Sequence, residues 1–224
     1  NSLTMSVYSS KFSNAYDYLT GRIDKKRSDT NYLKTLGVSL SLGKQLKWPD
    51  DYFTLVYGIN FTQYDLRNYP IFEGLSNGRS TNISFKLALQ RSSVFDPIFP
   101  RSGSNFLASV QFTPPYSLFN PDVVGSSNPY KNPEYHKWRF NADWYTPIVG
   151  NLILKTYAKI GMVGHYNSSI GNTPFEKFQV GGSGFNNRQL AFTGNDIISS
   201  RGYSENDIYY KETTSGRSQI PGSV

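Results

Sequence analysis

The sequence predicts an all-β fold that forms part of an antiparallel transmembrane β-barrel. Apolar residues recur at every second position along several runs, these runs reach ten or more residues, and the connections between them are alternately short and long. The 224 residues are 16% aromatic and 17% charged, which is not typical of a disordered chain. No apolar run approaches the ~18 residues that a membrane-spanning helix requires.

The alternation predicts seven strands and no helix. In the clearest example Leu36, Val38 and Leu40 alternate with glycine and serine, which gives the strand one apolar and one polar face. The strongest runs cover residues 36–43, 53–62, 83–90 and 137–144, and weaker ones lie near 3–8, 106–112 and 152–163. Several are long enough to cross a bilayer at a tilt, which takes ~9–11 residues, whereas soluble strands cluster near ~5–6.

The predicted connections differ in length at the two ends of the sheet. Short connections, rich in turn-forming residues, are predicted at residues 47–50, 96–103 and 147–150. Long polar connections are predicted at residues 13–31, 66–80, 115–134 and from 166 onward. This difference is typical of outer-membrane barrels, whose short turns are periplasmic and whose long loops are external.

The two faces of the strands require different surroundings. The apolar positions carry Tyr, Phe and Trp, as a lipid-facing band with aromatic girdles does, whereas the polar positions suit a hydrated lumen. The alternative is a soluble β-sandwich, because alternation alone does not say which face points inward. The barrel requires Phe85, Trp138 and Ile160 to point outward rather than into a sealed interior.

Composition excludes several kinds of chemistry. The chain has no cysteine and only two histidines, His136 and His165, so a thiolate or histidine-built metal site and a catalytic histidine are not predicted. The net charge of +7 is spread over strands and loops, so no nucleic-acid partner is predicted. Lys25-Lys26-Arg27 is assigned to an external loop facing solvent or lipopolysaccharide, and Asp50-Asp51 to the capping of a turn. Neither enzyme activity nor a cofactor is expected.

Three short segments stand out from the strand pattern. Phe99-Pro100-Arg101-Ser102-Gly103 is a turn, because proline fixes φ and glycine permits a positive φ. Residues 175–184 contain several glycines but lack the strand–helix context of a phosphate-binding loop, so they are assigned to backbone that packs closely against other structure. Arg201-Gly202-Tyr203, taken alone, is a solvated loop tripeptide. The glycines of the second segment are Gly181, Gly182 and Gly184.

Together and in this order, the three segments resemble the BamA-type outer-membrane β-barrel assembly family and its secretion relatives. In that family a Phe-Pro-x-x-Gly turn precedes a strand pair, and a long loop opens with a Gly-Gly segment and closes on Arg-Gly-Phe or Arg-Gly-Tyr. The match runs from about Phe99 to Tyr203, and residues 144–148 support it at a periplasmic turn. The sequence departs from the family in the enlarged stretch 185–200, which leaves the path of that loop open.

The resemblance implies a barrel of about sixteen strands in the outer membrane of a Gram-negative bacterium. Residues 1–224 would form a single partial domain that supplies about seven central strands. Residues 166–224 would be mostly a long external loop that folds into the lumen. We expect the periplasmic POTRA modules and the seam, where the first and last strands of the barrel meet, to lie outside this chain.

The resemblance also implies roles for the motif residues. The guanidinium of Arg201 would act as a latch by pairing with a carboxylate on a late strand outside this chain. Gly202 would let the backbone approach the barrel wall, and Tyr203 would pack its ring there. The loop base would be Gly181, Gly182 and Gly184, and the periplasmic turn motif Phe99, Pro100 and Gly103.

Three functions are compatible with these features. The resemblance favours an assembly factor that folds and inserts nascent β-barrel proteins, with those proteins, accessory outer-membrane lipoproteins, the bilayer and lipopolysaccharide as partners. The second is a polypeptide-secreting pore of the same superfamily. The third is a passive anion-selective channel with a cationic lumen, unless acidic residues balance that charge. Its candidate cations are Lys86, Lys137, Arg139, Lys155 and Lys159.

Overall fold

Seven long strands form one open antiparallel sheet in the computed structural model of the chain. In chain order the strands are β1 (Ser2–Ser13), β2 (Tyr16–Asp17), β3 (Arg22–Ile23), β4 (Tyr32–Gln45), β5 (Phe53–Arg67), β6 (Gly78–Ser92), β7 (Gly103–Phe112), β8 (His136–Val149), β9 (Leu152–Gly164), β10 (Phe178–Val180) and β11 (Asp196–Ile198). The sheet order is β1-β4-β5-β6-β7-β8-β9, and β2 and β3 form a separate short hairpin. The predicted number of long strands is therefore confirmed.

The structure describes most of the strands and part of the connections. The described residues are 1–13, 16–17, 22–23, 30–69, 75–96, 98–119, 128, 130–180, 194–198, 200 and 202.

One face of the sheet, here called the apolar face, consists of large exposed hydrophobic side chains. The cross-strand register brings them into continuous rows, because directly opposed residues share a face. One such row is Met5, Leu40, Ile59, Phe85 and Phe112. Phe85, Trp138 and Ile160 are 37%, 50% and 65% exposed, so they do not lie in a sealed interior. A continuous exposed apolar surface of this extent is typical of a membrane or protein interface.

The opposite face, here called the polar face, consists mainly of small and hydrophilic side chains. Ser80, Asn82 and Ser84 alternate on it along β6 and are buried. Near the long connections the polar face also holds a buried hydrophobic cluster. Its members are Leu33, Tyr64, Leu66, Tyr69, Leu75 and Phe175, with Phe12 and Tyr130 packed against it. The buried core therefore lies on the polar face, at the long-loop end of the sheet.

The connections follow the predicted pattern of lengths, with two local differences. The four-residue helix α1 (Tyr116–Phe119) lies in a connection where no helix was predicted. The turn predicted at residues 147–150 is shorter, because β8 continues through Pro147 to Val149 with a register shift against β9. Beyond Tyr145 the strand has no β7 partner, and proline is tolerated at such one-sided, irregular positions. No helix among the described residues is long and apolar enough to span a bilayer.

The β6–β7 connection contains the predicted turn motif. Gly103 has a φ of +107°, and a Cβ atom at this position would stand 2.5 Å from the backbone oxygen of Ser93. Both the conformation and the close approach require glycine. Earlier in the chain, in the β4–β5 turn, the Asp50 carboxylate accepts a hydrogen bond from the Tyr52 amide at 3.0 Å, as expected for a capping residue.

Candidate functional site on the polar face

Two pieces of the segment after β9 lie together on the polar face. Strands β10 and β11 pair in parallel, with Phe178 opposite Asp196. The amide of Asp196 donates to the Lys177 carbonyl at 2.9 Å, and the amide of Lys177 donates to Asn195 Oδ1 at 2.8 Å. These bonds make residues 173–180 and 194–198 one unit, here called the docked loop.

Ionic contacts hold the docked loop to β8. The ammonium group of Lys137, whose side chain is 0% exposed, lies 3.3 Å from the Glu176 carboxylate and 3.0 Å from Asp196. It also donates to the carbonyl oxygen of Gly194 at 3.0 Å. Arg139 donates through Nε to the same Asp196 oxygen. Because Lys137 and Arg139 are two residues apart in a strand, both cations face the docked loop.

Glu176 occupies the most constrained position in this group. Burial raises the pKa of its carboxyl group above the ordinary value, and the neighbouring Lys137 and Arg139 oppose that shift. Its φ of +61° is a left-handed conformation, which costs a non-glycine residue about 1–3 kcal/mol. A desolvated carboxylate is stable only beside a cation, so the position of Glu176 depends on Lys137.

Aromatic side chains dock the same segment on both sides of the ionic contacts. The ring of Phe175 stacks on that of Tyr64 in β5, with centroids 4.3 Å apart and planes at 7°. The ring of Phe178 lies over Gly161 of β9, where a Cβ atom would stand 2.6 Å from the ring carbon Cζ. The Lys137 ammonium is 4.9 Å from the Phe178 ring centroid, within the range of a cation–π contact. Gly161 therefore leaves the space that Phe178 fills.

The connection between β7 and β8 also folds onto the polar face. The Tyr135 hydroxyl accepts hydrogen bonds from the side-chain amides of Asn82 at 3.0 Å and Gln111 at 2.8 Å. The buried Glu134 carboxylate accepts a hydrogen bond from the Ser117 hydroxyl at 2.8 Å. Two long connections are thus anchored to the same face by satisfied buried polar groups.

A cleft of about 350 Å³ separates part of the docked loop from the sheet. Lys86 and Arg139 line it from the wall, and Glu176 and Asp196 line it from the docked loop. The predicted lumen cations therefore differ in their surroundings. Lys137 and Arg139 contact loop carboxylates, and the largely exposed Lys155 lies 3.8 Å from Asp143 of the wall. Lys159 is exposed on β9.

Comparison with known families gives a match over the whole chain. The Omp85 superfamily domain matches residues 1–224. The chain belongs to the Omp85 superfamily. The protein is located in the outer membrane of a Gram-negative bacterium. No curated protein matches the sequence.

A solved structure shares the fold of this Omp85 chain. BamA from Haemophilus ducreyi lacking POTRA domains 1–3 is similar to it with a TM-score of 0.50 and 19% sequence identity, over 80% of this chain and 37% of that chain. The chain thus matches little more than a third of the length of the relative. The predicted fold class, part of an antiparallel transmembrane barrel, is confirmed. In such a barrel the apolar face meets lipid and the polar face lines the lumen.

The residues of the three predicted motifs lie in different parts of the chain. Phe99, Pro100 and Gly103 belong to the short β6–β7 turn, where Phe99 is largely exposed. Gly202 is exposed and has a φ of +87°. Outside the described residues are Arg201 and Tyr203, and also Gly181, Gly182 and Gly184. The roles assigned to these residues therefore stay predictions.

Motif matching gave no role to the residues that hold the docked loop. The sequence segment that contains Phe175, Glu176 and Phe178 is notable for its glycines, and these three side chains have no predicted role. Asp196 belongs to none of the three motifs. One usable signal was present, because Lys137 and Arg139 alternate on one strand face and carboxylates follow in the loop. The contact has the reverse polarity of the expected latch, since the carboxylates belong to the loop and the cations to the wall.

Proposed function

We propose that this chain is the central part of an Omp85 barrel that folds and inserts nascent β-barrel proteins into the outer membrane. The observation that carries the proposal is the docked loop, held to the lumen wall by Lys137 and Arg139. An internally anchored loop fits a barrel whose lumen is occupied and whose substrates engage elsewhere. Nascent strands would then pair at the seam by β-augmentation, in a part of the barrel outside this chain.

Two of the five candidate lumen cations contact carboxylates of the docked loop, which argues against a passive anion-selective channel. Such a channel depends on cations that remain open to the passing ion. Lys137 is buried and contacts two carboxylates, and Arg139 shares one of them. We therefore rank the channel below assembly and secretion.

We further propose that residues 166–224 are mostly a lumen-directed loop within a single partial domain, and that Arg201 latches it. The guanidinium would pair with a carboxylate of a late strand, because an arginine in a partly desolvated lumen requires an acidic partner. Gly202 and Tyr203 would fit the backbone and ring against the wall. Accessory lipoproteins would act at the periplasmic side, and no residue is assigned a bond-breaking role.

Depletion of the full-length protein tests the proposed function. We expect many outer-membrane β-barrel proteins to decrease together when their membrane levels are measured after depletion. Loss of a single secreted polypeptide with normal barrel proteins would instead identify a secretion pore. Loss of anion conductance alone would identify a channel.

Replacing Arg201 tests the latch. In the full-length protein, Arg201→Ala should reach the outer membrane at the normal level but lower barrel assembly several-fold, because the loop loses its charge-assisted contact. Assembly is measured as the folded fraction of newly made barrel proteins in depleted cells complemented with each variant. Arg188→Ala, in the same segment, is the matched control. Wild-type assembly in Arg201→Ala would count against the latch.

A further inference from the structure

A row of charged side chains crosses the apolar face at its long-loop end. The register places Lys11 opposite Lys34, Lys34 opposite Asp65, and Asp65 opposite Arg79. These residues lie at alternate positions of β1, β4, β5 and β6, on the same face as the outward hydrophobic side chains of those strands. Four neighbouring strands spaced ~4.8 Å apart make the row about 14 Å wide.

A second row lies two residues nearer to the loops. Tyr32 and Arg67 are opposite each other there. The Tyr32 ring centroid is 4.9 Å from the Lys34 ammonium and 5.5 Å from that of Lys11, so the ring spaces the two lysines. We call Lys11, Lys34, Asp65, Arg67 and Arg79 the rim cluster. Its four cations are exposed, and its single carboxylate leaves an excess of positive charge.

The rim cluster lies at one border of the apolar band. On β4 the outward positions carry Lys34, then four aliphatic side chains, then Lys44. These two lysines are ten residues apart, which is about 33 Å along a strand and about 25 Å across the membrane at a tilt near 40°. That height equals the apolar band of outer-membrane barrels. Lys34 and Lys44 therefore lie at opposite interfaces, with Lys34 on the external side.

The opposite interface is built differently. Arg91, on the apolar face at the short-turn end, lies 2.8 Å from the Asp50 carboxylate. It also donates to the Ser93 hydroxyl at 2.8 Å, and its guanidinium carbon is 5.8 Å from the ring centroids of Phe53 and Phe106. The charge of Arg91 is thus satisfied within the protein. Cationic excess on the apolar face is concentrated at the external border among the described residues.

We propose that the rim cluster binds the phosphate groups of a phosphorylated glycolipid of the outer leaflet, that is, of lipopolysaccharide. Guanidinium and ammonium groups bind phosphate through charge-assisted hydrogen bonds. The acyl chains of the lipid would extend over the outward hydrophobic side chains below the cluster. Leu36 is two residues from Lys34, and Phe61 and Ile83 are four residues from Asp65 and Arg79. The site rests on the location in the outer membrane and is independent of the assembly activity.

Binding of a defined lipid to the full-length protein tests this site. The probe is lipid A with both phosphates, titrated onto the protein in detergent and followed by native mass spectrometry. We expect the triple variant Lys34→Ala, Arg67→Ala, Arg79→Ala to bind it at least about tenfold more weakly, since each surface cation contributes to attraction by anionic headgroups. Asp65→Asn should bind it more tightly, because the carboxylate repels phosphate.

Controls separate this site from other sources of binding. Lys44→Ala removes one cation from the same face of β4 at the opposite interface and should bind as the wild type does. Lipid A without phosphates should bind weakly to all variants. Equal binding by the triple variant and the wild type would overturn the proposal. So would equal loss in Lys44→Ala, or equally strong competition by phosphatidylglycerol, which would show non-specific attraction of anionic lipid.

The same variants are also tested for barrel assembly in depleted cells. Weak lipid binding with normal assembly is the result expected if the rim cluster acts only on lipid. A failure of the depletion experiment leaves the lipid titration unaffected, so the two proposals are contradicted by different results. Heat-dependent migration of the full-length barrel in gels verifies that each variant is folded.

Discussion

Lys137 is the residue on which the docked loop depends most directly. It contacts Glu176, Asp196 and the carbonyl of Gly194 from a fully buried position. Exchanging a whole buried ion pair for neutral groups is often tolerated, whereas removing one partner leaves an unpaired charge in a desolvated place. The consequence of a substitution therefore depends on which charges remain.

Removal of this cation should release the docked loop. We expect Lys137→Met to lower the stability of docking by about 3–5 kcal/mol, the usual cost of breaking a buried pair. Adding Glu176→Gln should recover part of the loss, because one stranded charge disappears. Hydrogen exchange of residues 173–180 in the full-length protein measures both effects.

The matched control for this substitution is Lys155→Met, which lies on the polar face of β9 with a largely exposed side chain. It should leave the exchange of residues 173–180 unchanged, because exposed ion pairs contribute little. Slow exchange retained in Lys137→Met would mean that the aromatic contacts alone hold the loop.

At the level of elements, the docked loop is joined to the sheet by ring packing as well as by charge. Phe175 is fully buried against Tyr64, and Phe178 occupies the space above Gly161. These contacts involve β5 and β9, whereas the ionic contacts involve β8. The segment is therefore fixed to three different strands.

Truncation of the stacked ring should expose the loop to proteases. We expect Phe175→Ala to cost about 3–5 kcal/mol of packing, as large-to-small changes in cores do. Limited proteolysis of the full-length protein should then cut between β9 and β11 much faster than in the wild type. Phe95→Ala removes a ring that is 82% exposed and should leave the cutting rate unchanged. Identical cutting in both variants would show that the stack contributes nothing to docking.

The strands could be predicted from the sequence because their signal is local. The alternation of Leu36, Val38 and Leu40 needs no knowledge of the rest of the chain. The docked loop could not be predicted in the same way, because Glu176 and Phe175 acquire their roles from β8 and β5. The extension of β8 through Pro147 also depends on a neighbouring strand. Because β7 begins at Gly103, opposite Tyr145, residue 147 pairs with β9 only.

At the scale of the whole molecule, the resemblance to the BamA-type family rests on three short sequence segments. The ionic contacts on the polar face involve residues outside these segments, such as Lys137 and Arg139. Short motifs identify a lineage because their backbone requirements are specific, as at Gly103. Pairings between distant charges leave no comparable signal in one sequence. For this reason the motifs predicted the family, whereas the partners of Lys137 and Arg139 were not predicted.

The orientation of the barrel wall can be measured directly, because this part of the protein contains no cysteine. In full-length protein that is otherwise free of cysteine and reconstituted in lipid, Asn141→Cys on the polar face should react with a water-soluble maleimide. Phe140→Cys, on the apolar face of the same strand, should react far more slowly because lipid covers it. Both should react equally after unfolding. The reverse ranking in lipid would contradict the assigned faces.

The order of the strands has a consequence for how this wall is built. Each long strand pairs with the long strand that precedes it in the chain. Every pairing therefore joins segments that are near in sequence and costs little chain entropy. The stack of Phe175 on Tyr64 is different, because four further strands separate β5 from that ring. The docked loop can pack against Tyr64 only after those strands are in place. Its docking therefore marks the completion of this part of the wall.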